Sequence, residues 1–216
     1  MHPEDEGRKG GPARRRRRTP EVAEREIIAA AEAFLREQPF RALTVDEVMR
    51  RTDLSRPSFY VYFRDRHHLV LRVVEHLGSE LYEMSERWLR GNGPGPQLAR
   101  EALEGIVGVY AAHGPVMRAL ADAAADDPGV EQAYNGIVES FVSATARHIE
   151  EEIAVGRILP VDPHETATAL VWMMERYLVL SFGGEQPTAP EAATETLATI
   201  WTRVLYGVNA GSAGGA

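Results

Sequence analysis

Apolar residues recur three and four positions apart along most of the chain between Thr19 and Tyr206, and no run alternates apolar with polar residues between turn signals. The first pattern belongs to amphipathic helices and the second to strands, so the chain is predicted to be all-α. The periodic segments are 20–38, 45–52, 56–63, 66–90, 97–113, 115–125, 130–155, 163–182 and 190–206, about nine helices. Between them stand "QPF", "DLS", "RD", "GNGPGP", "HGP", "DDPG", "GRILPVD" and "GGEQPT", where Gly, Pro or Asp interrupts the periodicity. Three helix starts fit a capping box: Thr44 to Glu47, Asp162 to Glu165 and Thr188 to Glu191. Thr19-Pro20 and Gly114-Pro115 mark two more starts, with Pro at the first helical position.

Segment 163–182 departs from the amphipathic pattern. Leu170, Val171, Trp172, Met173, Met174, Tyr177, Leu178, Val179 and Phe182 cover nearly every side of it. Such a helix is predicted to be buried all round, so a partner helix must cover its outer side. The last helix, with Leu197, Ile200, Trp201, Val204 and Leu205, is the natural companion. Glu175 is the odd residue in this stretch. A buried carboxylate needs a partner, and the candidates are Arg118, Arg147, Arg176 or a polar group on a ligand.

Residues 44–63 read as two short helices around a three-residue turn. Val45, Val48 and Leu54 form the inward side, Ser55 is placed to cap the second helix, and Phe59 and Phe63, four apart, share a face that anchors it. Arg56, Pro57, Tyr60 and Val61 then point elsewhere. A short helix with an apolar back and a front of Arg and Tyr has the dimensions of a recognition helix for the DNA major groove. The competing reading treats Tyr60 and Tyr62 as half-buried packing aromatics.

The net charge of −8 argues against nucleic acid, but its distribution does not. Residues 1–72 hold 16 Lys+Arg against 12 Asp+Glu, and residues 73–216 hold 8 against 20, so one end suits phosphates and the other repels them. Residues 1–18, "MHPEDEGRKGGPARRRRR", lack apolar periodicity and are expected to be a disordered basic arm. Arg14 to Arg18 is then either a solvated tail or a footing along DNA. With no Cys the chain has no disulfide framework or thiolate metal site, which fits a reducing cytoplasm. No apolar run reaches the ~18 residues of a membrane span, and the N-terminus has no apolar stretch behind its arginines, so neither a membrane nor a secretory signal is expected.

Catalytic constellations are weak. His164-Glu165 lacks the second His of a zinc helix, and the rings of His67 and His68 fall on different sides. His148 and Glu152 are four apart and are read as an exposed helix pair. "GNGPGP" does not make a phosphate loop, because its prolines lack the amides that cradle anions. No catalytic residue, metal site or cofactor is therefore assigned, and the chain is not expected to be an enzyme.

The stretch "LTVDEVMRRTDLSRPSFYVYFRDRHHLV" resembles the helix-turn-helix signature of the TetR family of bacterial transcription regulators. Within that family, "MMERYLVLSFGGEQPTAPEAATETLATIWTRVLYG" is similar to the ethionamide-response repressor branch. The resemblance implies a helix-turn-helix domain over 19–66, a ligand-binding and dimerisation body over 67–207 and a flexible tail over 208–216. It implies that Thr44 and Tyr62 bind phosphates and that Ser55, Arg56, Pro57, Ser58 and Tyr60 line the groove face. Arg66 would reach the backbone. It also implies an inducer channel lined by Leu98, Ala102, Ile106, Tyr110, Tyr134, Val138, Phe141, Thr145, Val171, Met174, Glu175, Val179 and Trp201. The bland reading of these residues is plain core. The family's turn carries Gly where Asp53 stands here, and small residues where Met49 and Thr52 stand. Asp tolerates a left-handed backbone, so the turn is expected to survive.

The resemblance thus implies a cytoplasmic homodimer, paired through its last two helices, that binds a palindromic double-stranded DNA operator. A small apolar ligand would release it, which makes it a repressor. The rivals are a ligand-independent architectural DNA-binding protein and a helical-bundle enzyme.

Overall fold

The computed structural model describes residues 19–207, Asn92 excepted. The arm with Arg14 to Arg18 and the tail 208–216 lie outside the described residues. Among the described residues eight α-helices follow one another: α1 (Pro20–Glu37), α2 (Val45–Met49), α3 (Arg56–Tyr62), α4 (Arg66–Leu89), α5 (Gly95–Asp126), α6 (Pro128–Ala154), α7 (Pro163–Phe182) and α8 (Pro190–Tyr206). A 3-10 turn, Phe40–Ala42, stands before α2. No strand occurs among the described residues, and no helix there is long and apolar enough to cross a membrane.

Side chains that satisfy free amides fix several of the starts. Thr44 accepts from the Glu47 amide, Asp65 from that of His68, Asp127 from those of Gly129 and Val130, and Asp162 from that of Glu165. Two expected caps are not made. α8 starts after Ala189, and the Thr188 amide instead donates to the Ser181 carbonyl at 2.9 Å. The Ser55 hydroxyl bonds the Ser58 hydroxyl at 2.8 Å and leaves the α3 amides alone.

The largest departure from the sequence pattern is α5. Segments 97–113 and 115–125 form one helix of 32 residues that runs through Gly114 and Pro115. An interior Pro normally breaks a helix, because it deletes a hydrogen bond and crowds the preceding turn. Here tertiary packing overrides that preference. Val116, Met117 and Leu120 are buried just beyond Pro115. Gly114 lies against the end of α7, where a Cβ would sit 2.2 Å from the Phe182 carbonyl oxygen. The helix is thereby clamped on both sides of the Pro. It touches α1, α4, α6, α7 and α8 and is the axis of the body.

At one end α1, α2 and α3 enclose Ile27, Phe34, Val48, Phe59 and Phe63, all buried. α4 carries this head into the body. The turn between α2 and α3 needs no left-handed residue, since no described non-Gly residue has positive φ. Its bonds come from side chains: Thr52 Oγ1 donates to the Met49 carbonyl and accepts from the Leu54 amide, and Glu26 accepts from the Asp53 amide. Asp53 therefore replaces the family's Gly without a left-handed backbone.

α7 buries Leu170, Val171, Met174, Glu175, Leu178 and Val179. Trp172, Met173 and Tyr177 are only half-buried and Leu180 is exposed, so the expected all-round burial is met on one side within a single chain.

Candidate nucleic-acid interface and body cavity

The front of α3 is a small, mostly exposed platform of Arg56, Pro57, Tyr60 and Val61. The back of the helix is held by the fully buried Phe59, so the platform has little freedom to tilt. Arg56 donates from Nε to Asp46 Oδ1 at 2.6 Å, and its guanidinium lies 5.7 Å from the Tyr60 ring centre. The Asp46 bond occupies Nε and orients the planar fork without using either Nη atom. Asp46 was not singled out from the sequence, because a carboxylate in a first helical turn reads as a dipole partner.

The other predicted contacts differ in availability. Thr44 is exposed, and its hydroxyl oxygen accepts from Glu47, which leaves the O–H itself to donate to a phosphate. Ser55 is exposed and Ser58 half-buried. Tyr62 is half-buried and packs on the core. Arg66 is committed inward: Nη1 donates to the Leu43 carbonyl at 3.1 Å and the guanidinium covers the Phe40 ring at 5.4 Å.

In the body two apolar cavities lie end to end. The larger, about 60 Å³, is enclosed by α4, α5, α6 and α7 and includes Ile106, Tyr110, Tyr134, Val138, Phe141, Val171, Met174 and Glu175 in its walls. The smaller, about 20 Å³, adds Ala102, Thr145 and Trp201. Ile106, Phe141, Val171 and Met174 belong to both walls and form the partition. Leu98 and Val179 are buried but line neither cavity. Leu98 lies one helical turn before Ala102, packed towards Gly93, and Val179 one turn after Glu175. Val74, Leu77, Gly78 and Leu81 of α4, Met117 and Leu120 of α5 and Ile137 of α6 complete the larger wall. These seven were missed because an apolar stripe on an amphipathic helix has the same pattern whether it faces solid core or space.

Polar groups left without a full set of hydrogen bonds meet this apolar space at two points. Tyr134 donates its O–H to Glu175 Oε1 at 2.5 Å, while Glu175 Oε2 is buried with no hydrogen-bond partner. Arg176 Nε stands 3.8 Å from that oxygen, beyond hydrogen-bond reach, and its own side chain is mostly in solvent. Arg118 is instead 3.8 Å from Asp122. Of the expected partners Arg176 pairs with Glu175, from the solvent side and without a hydrogen bond, and the Tyr134 phenol supplies the bond inside. Burial pushes the Tyr110 and Tyr134 hydroxyls well above their usual range, and the Glu175 charge adds to the effect, so both stay protonated. The second point is the Trp201 indole N–H, also buried without a partner.

His148 and Glu152, expected to be exposed, are both buried. The His148 ring sits 4.3 Å from that of Trp88 with neither nitrogen hydrogen-bonded, and Glu152 pairs with Arg157. Among the described residues no third ligand joins them to make a metal site. Burial holds the His148 pKa below its ordinary value of 6.5. The unfolded chain therefore takes up this proton first, and stability should be full above about pH 6.5 and fall as pH drops towards the folded pKa. Glu152 is held below the usual carboxylate range chiefly by the Arg157 hydrogen bond, so its contribution is lost only at still lower pH. His148→Leu should flatten the dependence of the urea midpoint between about pH 6.5 and 5, where the wild-type slope from this group is at most about 1.4 kcal/mol per pH unit. An unchanged difference between wild type and variant across that window would show that His148 takes up its proton alike in both states.

Comparison with known proteins decides the family. Residues 27–73 match the model for bacterial regulatory proteins of the tetR family, and residues 99–207 match that for the transcriptional regulator EthR, C-terminal domain. The HTH-type transcriptional regulator EthR of Mycobacterium tuberculosis is 33% identical over 208 residues, covering 92% of this chain and 94% of the relative. The chain belongs to the TetR family. It is an EthR-like helix-turn-helix transcriptional regulator. EthR of Mycolicibacterium smegmatis is 29% identical over 201 residues, with 91% and 93% covered. A TetR-like transcriptional regulator from Rhodococcus sp. RHA1 shares the fold with a TM-score of 0.67 at 20% identity, covering 87% of this chain and 97% of that one. The relatives are transcriptional regulators, not enzymes, and regulators of this family bind DNA operators and dimerise. The α3 platform lies within residues 27–73, the part of the chain that matches the tetR family model.

Proposed function

We propose that the chain is a cytoplasmic, homodimeric repressor that leaves its operator when a small apolar ligand enters the body, and that it acts by binding alone, without catalysis. The observation that carries this reading is α4. Its middle turns, Val74 to Leu81, wall the larger cavity, and its first residue, Arg66, bonds the head at Leu43. Further links join head to body: Arg72 to Glu24 at 3.1 Å, and His113 to Glu32 at 3.4 Å. A ligand that enlarges the cavity must displace one of its walls, and displacement of α4 carries α1 to α3 with it.

Met173, Tyr177 and Leu180 on α7 and Ile200 and Val204 on α8 are half-buried or exposed apolar side chains on two helices that touch. A second copy of this surface would cover it and form a four-helix interface. Two heads then sit on one face of the dimer, and a spacing of ~34 Å between recognition helices reads a palindrome. The ligand need only bind better to a state with another spacing.

The test pairs a thermal-shift screen of lipophilic compounds with binding to a duplex selected by the protein from random sequence. Compounds that stabilise the protein are expected to weaken selected-duplex binding roughly 5 to 150-fold, and linkage requires the duplex to weaken their binding by the same factor. If stabilising compounds leave DNA affinity untouched, the ligand-independent architectural reading replaces this one.

A further inference from the structure

Glu175 is more than an orienting detail of the cavity. Its side chain is 5% exposed, yet one oxygen has no hydrogen-bond partner and only the distant, solvent-side Arg176 for charge, and a buried carboxylate oxygen without a hydrogen bond carries a large desolvation penalty. The other oxygen is already satisfied by Tyr134, so the pair is half complete. The remaining walls of the larger cavity are aliphatic, aromatic or thioether apart from the Tyr110 hydroxyl. The outer groove beside this cavity shares Gly78, Ile137 and Phe141 with it and carries the carboxylates Glu83 and Glu75, the latter paired with Arg72 at 2.9 Å. Ile137 lies so close to Gly78 that a Cβ there would meet its Cδ1 at 2.8 Å. This movable side chain is the thin partition between groove and cavity. A groove with the Glu83 carboxylate thus shares a side-chain partition with the cavity that holds the buried acceptor.

Building on the sensor reading, we propose that the ligand is an apolar amine, whose N–H donates to the open Glu175 oxygen while its hydrocarbon part fills the cavity towards Phe141 and Met174. Neutral alcohols fit the same hydrocarbon space but bring a weaker donor, and carboxylates meet repulsion. The charge of the head group compensates that of Glu175, which no group inside the cavity does.

The test is isothermal titration of the full-length protein with octylamine, octanol, octanoate and octyltrimethylammonium. Octylamine is expected to bind about tenfold or more tighter than octanol, the size of effect that a hydrogen bond to a charged group supports. It should also exceed octyltrimethylammonium, which keeps the charge but has no N–H. This comparison separates a bond at Glu175 from general attraction to an acidic protein and needs no variant. Glu175→Gln should abolish the preference while octanol still binds. Equal binding of amine and alcohol, or of amine and trimethylammonium, would overturn the head-group assignment and leave the apolar sensor reading in place. Tightest binding of octanoate would do the same. If none of the four binds, the sensor reading falls and the amine assignment with it.

Discussion

Gly114→Ala is expected to destabilise the protein by about 3 kcal/mol, at the upper end of what overpacking usually costs, and to lower Tm by roughly 6 to 12 °C. The new methyl would lie 2.2 Å from the carbonyl oxygen of Phe182 and 2.5 Å from its carbonyl carbon. Those are backbone atoms, so no side-chain rotation relieves the clash. Phe182 is itself buried, and the carbonyls just before it are already tied into the end of α7, where Val179 accepts from the Gly183 amide. Helix propensity acts in the opposite direction, favouring Ala over Gly by about 1 kcal/mol. Gly108 in the same helix supplies the control, because a Cβ there meets nothing within 4 Å. Gly108→Ala should leave Tm unchanged or raise it. If Gly114→Ala behaves like Gly108→Ala in thermal melts, the close approach of α5 to α7 is wrong. Because Val171, Met174 and Glu175 lie on α7 and line the larger cavity, the Gly114 variant should also bind apolar ligands less well.

The same contact explains what the sequence could not disclose. Gly114-Pro115 is a sound helix start by local rules, and the rule fails because a partner 68 positions later holds the chain helical across the Pro. Ser55 and Thr188 fail as caps for different reasons: the Ser55 hydroxyl is taken by that of Ser58, whereas α8 begins one residue after the position that would make Thr188 its cap. His148 and Glu152 misled because charge and polarity signal exposure on average, whereas Trp88 and Arg157 cover these two. The head was legible because its information is local. Thr44 caps through an amide three residues on and Phe59 and Phe63 share a face four residues apart, and period and capping report on such neighbours. The body's periodic faces were legible as well. Whether a face meets space or atoms depends on how four helices fit together, and neither Ile106 nor Leu98 carries that in its own neighbourhood.

On the DNA side, Arg56→Ala should weaken binding to the selected duplex by about 1 to 3 kcal/mol and binding to random duplex much less, because a bidentate contact to guanine discriminates bases while phosphate contacts do not. Asp46 enters here as a positioning residue. Its bond to Nε holds the fork on the platform beside Tyr60, so Asp46→Asn should lose part of the Arg56 effect on the selected duplex, although it removes a negative charge that by itself would favour any DNA. A variant that gains equally on both duplexes would mean that the pair does not orient Arg56. Arg66→Ala separates the last possibility. The sequence reading made Arg66 a phosphate contact, whereas its bond to Leu43 and its place over Phe40 make it a strut under α2. It should therefore lower Tm and weaken selected and random duplex alike, a combination that Arg56→Ala must not show. If Arg56→Ala too reduces both duplexes equally, its guanidinium reads no base, and selectivity must come from Pro57, Tyr60 or the shape of the DNA.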